Sequence, residues 1–196
     1  MSAISARGSF LEATAPAALL PTIRVAAVAL AVALTATAAQ FTVVLPFTAV
    51  PFTLTPLVVI LTGAVLGSRL GAAAQAAYLA AGVAGLQVFA PSAILPPGAL
   101  RLLGPTGGFL LAYPAAAFAA GWLAERGWDR SFLRAVVAMA AGLAVIYLGG
   151  LSWMLQFAPS LEVAFAQAIA PFILADVVKV LLAAVLLPQA WQLLRK

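Results

Sequence analysis

The sequence predicts an all-α integral membrane protein of six transmembrane helices with both termini in the cytoplasm. The 196 residues are 65% hydrophobic and only 8% charged, whereas soluble domains are about 45–50% apolar and about 25% charged. A soluble protein of this composition could not cover its surface, but lipid solvates apolar side chains. We therefore expect one transmembrane domain over residues 1–196, with residues 1–21 as a short cytoplasmic segment and the remainder crossing the membrane.

Six apolar segments approach the length needed to cross a bilayer, which takes about 20 helical residues. They cover about residues 23–41, 54–66, 70–88, 107–124, 132–154 and 170–194. The second segment is short, and Gly67 and Gly71 mark the turn that precedes the third. Pro188 lies in the sixth, where a proline can bend a helix.

Basic residues orient these segments, because short loops rich in Lys and Arg remain in the cytoplasm. With six spans, one side of the membrane holds Arg7, Arg24, Arg69, Arg126, Arg130, Arg134, Arg195 and Lys196. The opposite side holds Arg101, and Lys179 lies within the sixth span. We therefore interpret the net charge of +5 as a membrane-orientation signal rather than as a sign of nucleic-acid binding.

Missing residue types exclude several kinds of chemistry. The chain has no cysteine and no histidine, which removes disulfides, thiolate catalysis and the commonest metal ligand and general base. It also has no Gly-x4-Gly-Lys-Ser/Thr motif, so any use of ATP must come from a partner. We expect no catalytic residues, no metal and no cofactor, and a membrane enzyme is disfavoured.

Three connections are predicted to lie on the outer side. Residues 42–53 carry no charge, and Pro46 and Pro51 prevent a regular helix there. This apolar segment would suit a lid that folds back onto the bundle. The other two connections, residues 89–108 and 158–167, are interpreted as irregular loops, which often carry function.

Asp176 and Lys179 are the strongest candidates for a binding site. They lie three residues apart in an apolar span and so share one helix face. A charge at membrane depth costs at least about 2.5–3.5 kcal/mol, so such residues usually face a cavity or a partner. The pair is either a neutral structural brace or a polar ligand site. Arg101 precedes a glycine-rich turn, where glycines would let backbone N–H groups approach a ligand.

Neutral polar groups and a small-residue face carry weaker signals. Gln87 and Tyr78 lie on or near the third span, where polar side chains more often join helices than bind ligands. Small residues lie four positions apart in two pairs along the first span, Ala27 with Ala31 and Ala29 with Ala33. Such a face permits close helix contact, either inside the bundle or with another subunit.

Several segments occur together in a way that resembles a known family. They are Val50–Thr53, Gly63–Gly67, Tyr78–Gly82, Gly85–Ala90, Gly104–Phe109 and Pro171–Phe172, followed by Asp176 and Lys179. This set resembles the BioY family, the biotin-binding S components of energy-coupling factor transporters, over about residues 24–187. The resemblance implies a six-helix S-component-like bundle that holds biotin near the extracellular face. It also implies a partner module of a transmembrane coupling protein and two ATP-binding cassette ATPases, which would contact the alanine face.

Biotin has a carboxylate tail, a ureido ring and an apolar thioether ring, and the candidate residues offer groups for each. Lys179 or Arg101 can meet the carboxylate, and Asp176 can accept from ureido N–H groups or hold Lys179 in place. Gln87 can bond the ureido ring, and Phe52, Tyr78 and Phe89 could cover the apolar ring. An alternative function is a stand-alone secondary transporter of a small anionic metabolite, with Asp176 exchanging protons.

Overall fold

The fold was analysed in a computed structural model that describes residues 9–16, 19–92 and 96–193. Arg7, Arg195 and Lys196, which contribute to the predicted orientation, lie outside the described residues. The described elements are helices α1 (Phe10–Thr14), α2 (Leu20–Gln40), α3 (Thr55–Leu66), α4 (Ser68–Val83), α5 (Gly107–Ala124), α6 (Phe132–Met154), α7 (Leu161–Ala168) and α8 (Ile173–Leu193), strands β1 (Thr42–Val43) and β2 (Phe52–Thr53), and a 3-10 helix at Gly98–Leu103.

Four of the described helices, α2, α5, α6 and α8, are long and apolar enough to cross a membrane. Helix α3 is apolar but has 12 residues, and α4 has 16. The long helices have apolar exteriors, as shown by Leu174 of α8, which is 80% exposed, and Leu133 of α6, which is 76% exposed. Such a surface suits lipid rather than water, so the chain is a multi-pass, all-helical membrane protein.

Small residues bring the central helices into close contact. A Cβ atom added to Gly63 of α3 would lie 2.1 Å from the backbone oxygen of Ala117 in α5. A Cβ atom added to Gly121, one turn further along α5, would lie 2.6 Å from the backbone oxygen of Gly63 in α3 and 2.7 Å from the carbonyl carbon of Gly67. Only glycine fits at such positions, so α5 packs directly against α3 and α4, with α6 on its other side.

Two outer connections contain regular structure that the sequence pattern does not predict. Residues 42–53 form a short antiparallel ribbon in which Thr42 pairs with Thr53 and Val43 with Phe52. Residues 158–167 were expected to be irregular, but Leu161–Ala168 is a helix. Ser160 caps α7, because its hydroxyl accepts a hydrogen bond from the Val163 N–H. With eight residues, this amphipathic helix is too short to be recognised as a membrane span.

The candidate functional residues lie at the two ends of the helix bundle. One end holds the β1–β2 ribbon, the 3-10 helix, and the first turns of α5 and α8. The other end holds the α3–α4 turn, the end of α5 and the turn into α6. Among the described residues, Arg24, Arg69, Arg126, Arg130 and Arg134 belong to this second end, whereas Arg101 belongs to the first.

Candidate functional site

A cavity of about 70 Å³ opens at the end of the bundle that carries the ribbon, several times the roughly 10–15 Å³ that one water molecule needs. Its wall is mostly apolar. Residues of the ribbon, the 3-10 region and the ends of α2 to α6 and α8 form it. Three charged side chains line it: Arg101, Asp176 and Lys179. Two cations face one anion, so these charges leave the wall with a formal charge of +1.

Asp176 and Lys179 form a buried ion pair on the first turns of α8. The Lys179 ammonium donates to Asp176 Oδ1 at 2.6 Å and to the backbone oxygen of Thr53 at 2.7 Å. Both charged side chains are less than a tenth exposed. The ammonium also lies 4.3 Å from the centre of the Phe52 ring, a cation–π contact. Lys179 thereby joins α8 to the strand that closes one side of the cavity.

Tyr147 of α6 holds the second carboxylate oxygen of the pair. Its hydroxyl donates to Asp176 Oδ2 at 2.6 Å, and Tyr147 itself lines the cavity. Sequence reasoning missed this residue, although a tyrosine in an otherwise apolar span is a visible signal. No spacing rule links residues 147 and 176, because only the packing of α6 on α8 brings them together.

Arg101 is buried, with 6% of its surface exposed, although it lies in a connection between helices. Its Nε donates to the oxygen of Pro96 and its Nη1 to the oxygen of Ala90, each at 3.0 Å. Burial lowers the pKa of the Arg101 guanidinium from its ordinary value, but arginine remains charged at neutral pH. The side chain therefore brings a fixed positive charge to the cavity wall and orders the 3-10 region around it.

Aromatic side chains cover the apolar part of the wall. Tyr78 and Phe89 line the cavity and pack edge to face at 5.6 Å between ring centres, and the Tyr78 hydroxyl donates to the oxygen of Val88. Phe52 stacks on Phe172 at 6.4 Å. Phe172 lines the cavity, whereas Phe52 lies behind it and reaches the site through Lys179.

Gln87 and the glycine-rich turn do not have the positions that the sequence suggested. Gln87 is exposed and lies outside the cavity wall, because α4 ends at Val83 and Gly85 turns the chain with φ of 98°. Gly107 and Gly108 serve packing rather than ligand approach. A Cβ atom on Gly108 would lie 2.2 Å from Trp153 Cβ of α6, and Trp153 Nε1 donates to the oxygen of Gly104.

The alanine face of α2 divides into two sets. Ala31 is buried and Ala27 half-buried, and both pack against Leu66 and Ala74 within the chain. Burial of Ala31 contradicts its assignment to a partner interface, since a helix turns its successive alanines to different sides, whereas the half-buried Ala27 stays a candidate. Ala29 and Ala33 are exposed and stay candidates for contact with another subunit.

Comparisons with known proteins agree on one family. A family model described as "BioY family" matches residues 12–196. The chain is 39% identical over 155 residues to a protein of Pyrococcus horikoshii named "Probable biotin transporter BioY", covering 79% of this chain and 88% of that one. It is 35% identical over 142 residues to "Biotin transporter BioY" of Thermotoga maritima, covering 72% and 81%. A crystal structure described as the S-component for biotin from an ECF-type ABC transporter superposes with a TM-score of 0.79 at 22% identity, covering 91% of this chain and 95% of that one.

Proposed function

The chain belongs to the BioY family, and we propose that it is the high-affinity biotin-binding membrane subunit of an ATP-driven energy-coupling factor importer. The names of its relatives and the S-component fold support this function. The observation that carries the proposal is the cavity, which combines an apolar aromatic wall with one acid, one lysine and one arginine. Biotin needs both kinds of surface, because an apolar ring system separates its ureido group from its carboxylate.

The cavity offers a distinct partner for each part of biotin. The carboxylate would form a charge-assisted bond with Arg101 or Lys179, whose combined charge exceeds that of Asp176. Asp176 would accept from the ureido N–H groups. It is prepared for this role, because Lys179 and Tyr147 fix both of its oxygens. Tyr78 and Phe89 would lie against the thioether ring.

The proposed topology has six spans, with α3 and α4 as the two short ones, and the cavity on the extracellular side of the bacterial inner membrane. The distribution of arginines supports this orientation, since five described arginines belong to the end of the bundle opposite Arg101. Energy would come from a transmembrane coupling protein and two ATP-binding cassette ATPases. The exposed residues Ala29 and Ala33 of α2 would contact the coupling protein.

Calorimetry of the purified protein against biotin, riboflavin and thiamine tests the ligand. We expect tight binding of biotin alone, and tight riboflavin binding without biotin binding would refute the proposal. Uptake into liposomes tests the alternative of a stand-alone proton-coupled transporter. The protein by itself should not accumulate biotin under a proton gradient, whereas accumulation without ATPases would favour the alternative.

A further inference from the structure

A second cleft opens at the end of the bundle opposite the cavity, with a volume of about 650 Å³. We define this basic cleft by its charged residues Arg24, Arg69, Arg126, Glu12 and Glu125. Helix α1, the first turns of α2 and α4, and the residues directly after α5 bring these side chains together. Three arginines face two glutamates, so the cleft has a formal charge of +1.

Both acids of the basic cleft are already engaged by partners inside the chain. Glu12 accepts a hydrogen bond from Arg24 at 2.9 Å. Glu125 caps α4, because its Oε1 accepts from the Ser68 backbone N–H at 2.7 Å and its carboxylate accepts from the Ser68 hydroxyl at 3.0 Å. Neither salt bridge found among the described residues involves Arg69 or Arg126.

Arg69 and Arg126 line the cleft, and most of their N–H donors make no hydrogen bond to a described residue. Arg69 is exposed and makes no side-chain hydrogen bond to any described residue. The Arg126 guanidinium lies 3.4 Å from the centre of the Trp122 ring and gives one bond, at 2.7 Å, to the backbone oxygen of Trp122. This contact fixes the plane of the guanidinium and leaves its other N–H groups available. Two guanidinium groups in one cleft suit an oxyanion such as phosphate, because their N–H donors match its oxygen atoms.

The cleft lies at the level where a lipid headgroup would be found. Trp122 occupies the last turn of α5, one of the helices that can span the membrane, and is 44% exposed. Tryptophan at a helix end marks the membrane–water interface. Phe118, one turn deeper, also lines the cleft and is 44% exposed, so an apolar track leads from the arginines toward the membrane interior.

We propose that the basic cleft binds the phosphate headgroup of an anionic phospholipid, with one acyl chain lying along Phe118 and Trp122. Arg69 and Arg126 contact the phosphate, and Glu125 holds the start of α4 so that Arg69 faces the cleft. This site is separate from the ligand cavity and does not depend on which vitamin the cavity takes.

Native mass spectrometry of the purified full-length protein, titrated with phosphatidylglycerol or phosphatidylcholine, tests this proposal. Each basic side chain near an anionic lipid contributes about 1 kcal/mol, which is about five-fold in affinity. The double variant Arg69→Gln with Arg126→Gln should therefore weaken phosphatidylglycerol binding about 25-fold and leave phosphatidylcholine binding unchanged. Arg134→Gln is the matched control, because Arg134 is an exposed arginine of the same end that does not line the cleft.

Thermal unfolding establishes that each variant is folded, and Arg69→Gln alone replaces the double variant if that protein unfolds, with an expected loss of about five-fold. Equal binding of the two lipids by the unmodified protein would overturn the proposal. Retention of phosphatidylglycerol by the folded cleft variants, or an equal loss in Arg134→Gln, would also overturn it. Glycerol 3-phosphate binding as tightly as phosphatidylglycerol would assign the cleft to a soluble phosphate. If the cleft variants bound phosphatidylglycerol normally but no longer assembled with the coupling protein, the cleft would be assigned to contact with that protein instead.

Discussion

Replacement of Lys179 tests whether the buried ion pair is a binding site or only a brace. In the structure its ammonium makes two hydrogen bonds, to Asp176 Oδ1 at 2.6 Å and to the oxygen of Thr53 at 2.7 Å. Lys179→Ala removes both and leaves Asp176 as a buried charge without its counter-ion. Removing one member of a buried pair typically costs about 3–5 kcal/mol of stability.

The effect on ligand affinity should be large as well. Loss of one charge-assisted hydrogen bond removes about 1.5–3 kcal/mol of binding free energy, which is about 10- to 150-fold in affinity. Asp176→Asn should have a smaller effect, because the amide oxygen can still accept from Tyr147 or from a ureido N–H. Lys179→Met is the matched control, since it keeps an apolar stem of similar length and removes only the ammonium with its charge and hydrogen bonds.

Calorimetry with biotin measures the affinity of each variant, and chemical or thermal unfolding in the same detergent measures its stability. The double variant Asp176→Leu with Lys179→Leu separates the two interpretations. Replacement of a buried pair by apolar residues is often neutral or stabilising, so this protein should fold. If the pair forms the binding site, it should bind no biotin. A folded double-leucine protein with full biotin affinity would refute the assignment of these residues to the site.

Four further results are expected. Arg101→Gln should weaken binding of biotin more than binding of its uncharged methyl ester, because only the acid needs the cation; equal losses in calorimetry would contradict this. Tyr147→Phe should lower biotin affinity by about 0.5–1.5 kcal/mol while the melting temperature stays near normal, and unchanged affinity would show that its bond to the carboxylate does not position a ligand group. Labelling of cysteines introduced between Thr42 and Thr53 should slow when biotin is added, and unchanged rates would argue against a lid. Ala29→Trp should abolish assembly with the coupling protein but preserve biotin binding, whereas Ala31→Trp should impair folding, and the reverse pattern would move the interface.

The positions of the long helices were predictable because a helix in lipid requires a long apolar run. The ends of these runs are marked by charged residues, glycine and proline. The predicted bounds 107–124 and 132–154 agree with α5 and α6. Helix α7 was not predicted, since a segment of eight residues carries too few turns for periodicity to show. Similarly, ribbon pairing over residues 42–53 depends on contacts across a loop that contains two prolines.

The candidate site was predictable where burial itself is the signal. Charges inside an apolar span are costly, so Asp176 and Lys179 could be identified from their surroundings alone. Arg101 was identified as the single basic residue expected outside, and it is buried in the cavity wall. The error at Gln87 has a different origin. Its side-chain direction depends on where α4 ends, and helix ends are the least certain part of a sequence interpretation.

The position of Lys179 also connects the ion pair to the proposed lid. Its ammonium bonds the Thr53 oxygen at the end of the ribbon as well as Asp176 on its own helix. At the far side of the ribbon, the Thr48 hydroxyl donates to the oxygen of Gln167 in α7. The ammonium has a third N–H donor, so a ligand carboxylate could bond Lys179 while the bond to Thr53 holds the ribbon over the cavity. Ligand and ribbon would then bond the same nitrogen atom, and the slower cysteine labelling expected with biotin would follow from this shared contact.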